Sequence, residues 1–269
     1  MCLSCFVINP KTTDNKFKFI LGFNRDEFYE RAGSPLKWHE TLLGGWDMAP
    51  GREFGSWLTI SEKGRIGILT NVLVAKPNPT GLARGKLVTE FAAGTASPEE
   101  YFRELPLAQF NEFNLSLIDL CSDVGAHGTW MTSNASSSKT VLAENVKYVM
   151  SNSCELNSKW PKAAKLRRNF DELELDRPKD ELVEKILEML EDGESCGESE
   201  LIAEQSCGFV EKAIGMKKYN SVKITGDAKY GTRTHSVIVV DELNRVTFVE
   251  VDRCADGEWI RRRKEFTIQ

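Results

Sequence analysis

Apolar residues recur along this chain with two different periods, and the changes between them divide it into strands, then helices, then strands. Residues 2–8 and 17–23 are nearly unbroken apolar runs joined by polar residues 9–16, which predicts a β-hairpin of buried strands with an irregular loop. Directly after it come Asn24-Arg25-Asp26-Glu27, four polar residues where a core strand ends; spacing alone favours a solvent-facing turn there over a site. Residues 57–61 and 65–72 predict a second hairpin turned at Glu62-Lys63-Gly64, and in the Gly- and Trp-rich segments 43–47 and 54–57 before it the glycines permit tight turns and close backbone approach.

Further strands are predicted over residues 113–120, 128–132 and 146–150. A helix is predicted over 85–93, and another begins at Ser97 as N-cap with Pro98 in the first helical position. After Trp160-Pro161 the period lengthens: Ala163, Leu166, Phe170 and Leu173 predict one helix, and Leu182, Ile186, Leu187 and Leu190 another over 179–190. Strands return at 221–225, 231–240, 245–251 and 257–268. This order predicts a layered α+β domain spanning residues 1–269, with sheets from both chain ends sharing one core and the first strand internal.

A hydrophobic fraction of 41% over 269 residues is ample for a large packed core. The net charge of -5 argues against nucleic acid as a partner, because phosphate binding needs concentrated Lys and Arg. The basic run Arg261-Arg262-Arg263-Lys264 reads as the solvated face of a terminal strand. Seven irregularly spaced cysteines with no secretory n-region and h-region point to a reducing compartment, so the protein is expected in the cytoplasm and not secreted. No apolar stretch approaches membrane-span length, and no stable membrane insertion is expected.

Cys2 is the candidate for chemistry. Trimming of Met1 would leave a thiol and a free α-amine on one residue, and an amine titrating near pH 8 can accept the thiol proton. A buried core thiol in an ordinary apolar strand fits the same residues. No metal site is announced. Cys2 and Cys5 are three apart on a strand and point to opposite faces. His39, His127 and His235 are scattered and read as packing or surface residues.

Taken in order, Met1-Cys2, Asn24-Arg25-Asp26-Glu27-Phe28-Tyr29, Leu43-Gly44-Gly45-Trp46-Asp47, Thr70-Asn71, Met150-Ser151-Asn152 and Tyr230-Gly231-Thr232-Arg233-Thr234 make the chain similar to the NRDE family. This is the transport and Golgi organization protein 2 group, which resembles more distantly the N-terminal-nucleophile hydrolases such as penicillin V acylase and bile-salt hydrolase. The resemblance implies a four-layer αββα sandwich with the first residue in a cleft between two antiparallel sheets. It implies Cys2 as nucleophile, Asp26 as the carboxylate holding its amine, and Asn71 and Asn152 as the asparagines that bind an oxyanion and orient the amine. Arg25 departs from the hydrolase spacing, because residues one apart on a strand face opposite ways, and Arg233 is the alternative source of positive charge.

Two functions follow from the resemblance. One is a binding and transfer protein for a small apolar cargo, haem or an acyl lipid such as acyl-CoA, contacted by Asn24, Arg25, Arg233 and His235. No cofactor is required; haem would be transported, with His235 or the Cys2 thiolate as its ligand. The other is a cysteine amidohydrolase or thioesterase using Cys2. The family's association with haem movement and acyl-lipid handling favours the carrier, and it adds mitochondrial or Golgi and endomembrane association to the expected cytoplasmic location.

Overall fold

The computed structural model describes residues 1–123, 125–133, 137–197, 199–206, 220–225 and 229–269. Alternation along the first strands decides its layering. β1 (Cys2–Ile8) turns Cys2, Phe6 and Ile8 to one face and Leu3, Cys5 and Val7 to the other. β2 (Phe17–Phe28) does the same with Phe19, Leu21 and Phe23 against Ile20. A strand apolar on both faces must be covered on both.

These strands belong to a six-stranded antiparallel sheet ordered β10-β1-β2-β11-β12-β13, completed by β10 (Tyr148–Met150), β11 (Tyr230–Asp241), β12 (Arg245–Arg253) and β13 (Trp259–Thr267). The second sheet is a seven-stranded meander in chain order: β3 (Lys37–His39), β4 (Leu42–Asp47), β5 (Gly55–Ser61), β6 (Arg65–Asn71), β7 (Phe113–Ser122), β8 (Gly125–Thr132) and β9 (Lys139–Val141). Their inner faces meet in a core that includes Phe6, Phe19, Phe23, Ile60, Ile66, Ile118, Trp130 and Phe248.

Outside the second sheet lie α1 (Lys86–Ala93) and α2 (Pro98–Glu104), with Val88, Phe91 and Phe102 packed on Leu115 and Met131. Outside the first lie α3 (Pro161–Glu172) and α4 (Lys179–Leu190), whose Leu166, Phe170, Ile186 and Leu190 cover Leu3, Cys5, Ile20 and Val237. The result is the four-layer αββα sandwich that the sequence led us to expect. β1 is internal, between β10 and β2, and α2 begins with a full capping box between Ser97 and Glu100.

Several elements differ from the sequence expectation. Asn24–Glu27 is no turn: β2 continues through Phe28 because β11 pairs with it as far as Tyr230 opposite Phe28, which keeps these polar residues inside the sheet. The Gly- and Trp-rich residues 43–47 lie within β4, where a register shift falls between Gly44 and Trp46. Residues 221–225 are not a strand; Lys223 N donates to Asp192 O, and Ile224 exchanges bonds with Thr232, so the segment is tied to a loop and to β11 without entering a ladder. Three short elements, β3, β9 and α5 (Glu200–Ser206), carry no periodicity long enough to announce them. On β13, Arg261 and Arg263 pair with Glu184 and Asp180 of α4, so part of that basic face clasps a helix.

Candidate active site

Register places the candidate chemistry. Cys2 lies opposite Arg25 across the β1–β2 ladder, and the Asp26 N–H donates to the Met1 carbonyl at 2.6 Å. Cys2 and Arg25 are therefore a non-hydrogen-bonded pair, and the Cys2 N–H points away from β2, toward the side where β10 leads into Asn152. Both side chains face the second sheet.

There they line a cleft of about 190 Å³ with Arg31, Asp47, Arg52, Trp57, Asn71 and Arg84. Arg25 is 5% exposed, and its guanidinium lies 3.9 Å from the Trp57 ring centroid, spanning the gap between the sheets. Trp57 lies this flat because Gly45 has no side chain; a Cβ there would stand 2.7 Å from the indole. No hydrogen bond or carboxylate meets the Arg25 guanidinium among the described residues. Burial lowers its pKa, Glu27 opposes that, and Arg233 adds to it. Arg31 is occupied by Asp47 at 2.6 Å and Glu27 at 3.6 Å. Arg84 donates to the Glu112 carbonyl, and burial together with Arg52 and Arg31 lowers its pKa to about 10.

The Cys2 thiol is pushed above its ordinary value by burial, against the pull of the terminal amine. With Met1 in place that amine belongs to Met1, and it donates to the Asp26 carbonyl and the Tyr230 hydroxyl, not to the Asp26 carboxylate. The thiol is thus held protonated in this form of the chain.

The Asp26 carboxylate is turned toward the helix-covered side of the sheet. Oδ1 accepts from Thr232 Oγ1 at 2.6 Å, and Oδ2 faces the Lys162 ammonium at 3.8 Å. Lys162 is wholly buried and also reaches Asn152 Oδ1 at 3.4 Å. Asn152 Nδ2 donates to the Asn71 carbonyl at 2.7 Å. Asn71 stands at the exposed rim, whereas Asn152 lies behind the wall. Lys162 therefore joins two residues that the sequence named, and the sequence reading missed it. The signal was present: Lys162 sits four residues before Leu166 and eight before Phe170, on the apolar stripe of α3 where a charge needs a partner.

Three expected cargo contacts are not brought to the cleft. Asn24 faces the helices, donating to the Leu190 and Val222 carbonyls. His235 lies on the same side, bonded to Asn24 Oδ1 at 2.7 Å, and burial lowers its pKa to about 3, so it is neutral and enclosed. Arg233 sits where the β2–β11 register shifts, and its guanidinium donates to the Phe28 and Arg31 carbonyls. Even strand positions of β2 face α3 and α4, which is why Asn24 and Arg25 part company. Arg25, in contrast, enters the cleft.

The chain is a four-layer αββα protein whose internal first strand brings Cys2 to a cleft between two antiparallel sheets. A model of the family described as Transport and Golgi organisation 2 matches residues 1–254, and the chain belongs to that family. It is 31% identical over 281 residues to the Transport and Golgi organization 2 homolog of Mus musculus, with all of both chains covered. It is 27% identical over 289 residues to Transport and Golgi organization protein 2 of Drosophila melanogaster, covering all of this chain and 99% of that one. Among solved structures it is similar to a Caenorhabditis elegans ortholog of N-acylethanolamine-hydrolyzing acid amidase, with a TM-score of 0.47 and 12% identity over 71% of this chain and 86% of that one. Among the described residues no helix is long and apolar enough to cross a membrane.

Proposed function

We propose that the chain is a binding and transfer protein that holds the anionic end of an apolar cargo, a haem or an acyl lipid such as acyl-CoA, in the cleft above Cys2. Arg25 carries this reading. Its guanidinium offers five N–H donors, lines the cleft and meets no carboxylate within ion-pair distance among the described residues, so a propionate, carboxylate or phosphate is the group that suits it through charge-assisted, bidentate hydrogen bonds. At about 190 Å³ the cleft is smaller than the roughly 300–1,000 Å³ of ordinary small-ligand pockets. It suits a head group, with the body of a large cargo left at the mouth.

The test is titration of the full chain with haem and with a long-chain acyl-CoA, read by quenching of tryptophan emission. Arg25→Gln is expected to weaken whichever ligand binds by at least about tenfold. Equal affinity in the variant and the parent would remove the basis for this reading.

The Cys2 thiol at the same cleft favours hydrolysis as a second reading. Once Met1 is gone, the Cys2 nitrogen becomes the terminal amine and can serve as base for its own thiol. The attack would form a thioester and release an amine or a thiol, and water would then free the acid. The expected result is an intact mass lacking Met1, with one acyl-probe adduct that maps to Cys2 and disappears in Cys2→Ala. Retention of Met1, or labelling spread over the other cysteines, would count against it.

A further inference from the structure

Arg25, Arg31, Arg52 and Arg84 line the cleft against the carboxylates of Glu27 and Asp47, because that of Asp26 is turned to Lys162 on the other face of the sheet. Arg31 takes both carboxylates, Asp47 at 2.6 Å and Glu27 at 3.6 Å. Arg25, Arg52 and Arg84 have none within ion-pair distance among the described residues. Arg25 comes from the first sheet, whereas Arg52 and Arg84 come from connections of the second.

Two glycines bring those connections together. Arg52 lies in the β4–β5 loop and Arg84 just before α1, and between them the backbones of Gly55 and Gly85 touch. A Cβ on Gly85 would stand 2.9 Å from the Gly55 Cα, and one on Gly55 would stand 3.1 Å from the Gly85 Cα. Ser56 N donates to Gly85 O at 3.1 Å and Thr89 Oγ1 to Phe54 O at 2.9 Å, which ties the loop to the start of the helix. The Arg84 guanidinium is held by the Glu112 carbonyl at 2.7 Å through one nitrogen, which leaves donors for another group. That of Arg52 makes no hydrogen bond or ion pair among the described residues. The charges of Arg52 and Arg31 reach Arg84 and oppose its own, so an anion placed among them relieves a repulsion built into the wall.

A carboxylate presents two oxygens and one charge, which the fork of a single guanidinium satisfies. A phosphate monoester presents three oxygens and a charge of about −1.5 to −2. Three guanidiniums contributed by both sheets exceed what a carboxylate can use and match a phosphoryl group. We propose that Arg52 and Arg84 form a phosphate subsite beside Arg25, so that the head group held in the cleft is a phosphate ester and not a carboxylate or propionate. This rests on the cleft being an anionic head-group site and narrows that site to one chemistry.

The test is titration of the full chain with octanoyl-CoA, dioctanoyl phosphatidate and octanoate, read by quenching of tryptophan emission. The two phosphate ligands are expected to bind at least about tenfold more tightly than octanoate, and the tighter of them tells a nucleotide-type carrier from a lipid head group. Inorganic phosphate is expected to displace either one, and acetate at the same ionic strength is not. Arg52→Gln is expected to weaken both phosphate ligands at least about tenfold and to leave octanoate unchanged. Arg84→Gln repeats the test from the other connection, and an unchanged thermal transition in each variant excludes misfolding as the cause. Octanoate binding as tightly as both phosphate ligands, no displacement by phosphate, or parental affinity in Arg52→Gln and Arg84→Gln would overturn the proposal. So would an equal loss in Arg103→Gln, an exposed arginine on α2, since bulk charge would then explain the binding. If haem or octanoate binds through Arg25 while Arg52→Gln changes nothing, the head-group site stands and the phosphate subsite falls. If no anion binds, both fall.

Discussion

Lys162→Met is expected to destabilise the fold by about 3–5 kcal/mol, because it leaves the Asp26 carboxylate buried without its counter-charge. Methionine keeps the length of the stem, so packing on α3 is little disturbed and the loss reports the charge. Adding Asp26→Asn to that variant removes the orphaned charge and is expected to restore most of the stability. Urea unfolding of the two single variants and the double variant measures this directly. If Lys162→Met were within about 1 kcal/mol of the parent, the pair would be no more than a surface-like contact. The pair matters beyond stability: Lys162 reaches both Asp26 and Asn152, and through Asn152 it reaches the Asn71 carbonyl at the rim.

Raising the pH from about 6.5 to 8 is expected to lower the stability of the parent by up to about 1.4 kcal/mol per unit, and Glu250→Gln is expected to abolish that slope. Glu250 lies on the inner face of β12, and burial pushes its pKa up to about 8; Asp252 adds to the shift, while the hydrogen bond from Leu36 N and the charges of Arg262 and Arg25 oppose it. In the folded state the carboxyl keeps its proton until about pH 8, whereas in the unfolded chain it has already lost it. The unfolded state therefore binds fewer protons, and stability falls as pH rises. Below pH 6.5 His235 contributes the opposite slope. Its folded pKa is near 3, so only the unfolded chain takes up that proton, and stability falls as pH falls. The two slopes oppose each other below neutrality, which is why the window above 6.5 isolates Glu250. Glutamine retains an acceptor for Leu36 N, so stability curves of parent and variant that run parallel across this range would show that Glu250 does not titrate there.

Strand and helix placement was legible wherever a period persisted. The buried hairpin of β1 and β2, the meander strands β5 to β8 and the helices α1, α3 and α4 carry alternation or a three-to-four-residue repeat, α2 carries its Ser97-Pro98 start, and each stands close to where that signal put it. Cys2 and Cys5 part to opposite faces because alternation along a strand leaves no choice. Short or polar elements such as β3 and β9 were not legible, since three residues cannot show a period.

The polar string after the first hairpin marks the limit of this kind of reading. Asn24, Arg25, Asp26 and Glu27 look like a turn because burial of such residues is normally costly, and that cost is avoided only if partners are waiting. The partners come from far along the chain: Thr232 and Lys162 for Asp26, His235 with the Leu190 and Val222 carbonyls for Asn24, and Trp57 beneath Arg25. Nothing local to residues 24–27 announces any of them.

The sequence by itself determined the layered α+β architecture, the internal position of the first strand and the presence of Cys2 at its head, because periodicity and order along the chain are local properties. Only the tertiary structure decided that Arg25 and not Asn24 or His235 enters the cleft, and that Asp26 turns to a buried lysine. Those outcomes depend on which residues far apart in the chain are brought within a few ångströms, and such proximity is set by packing whole layers against one another.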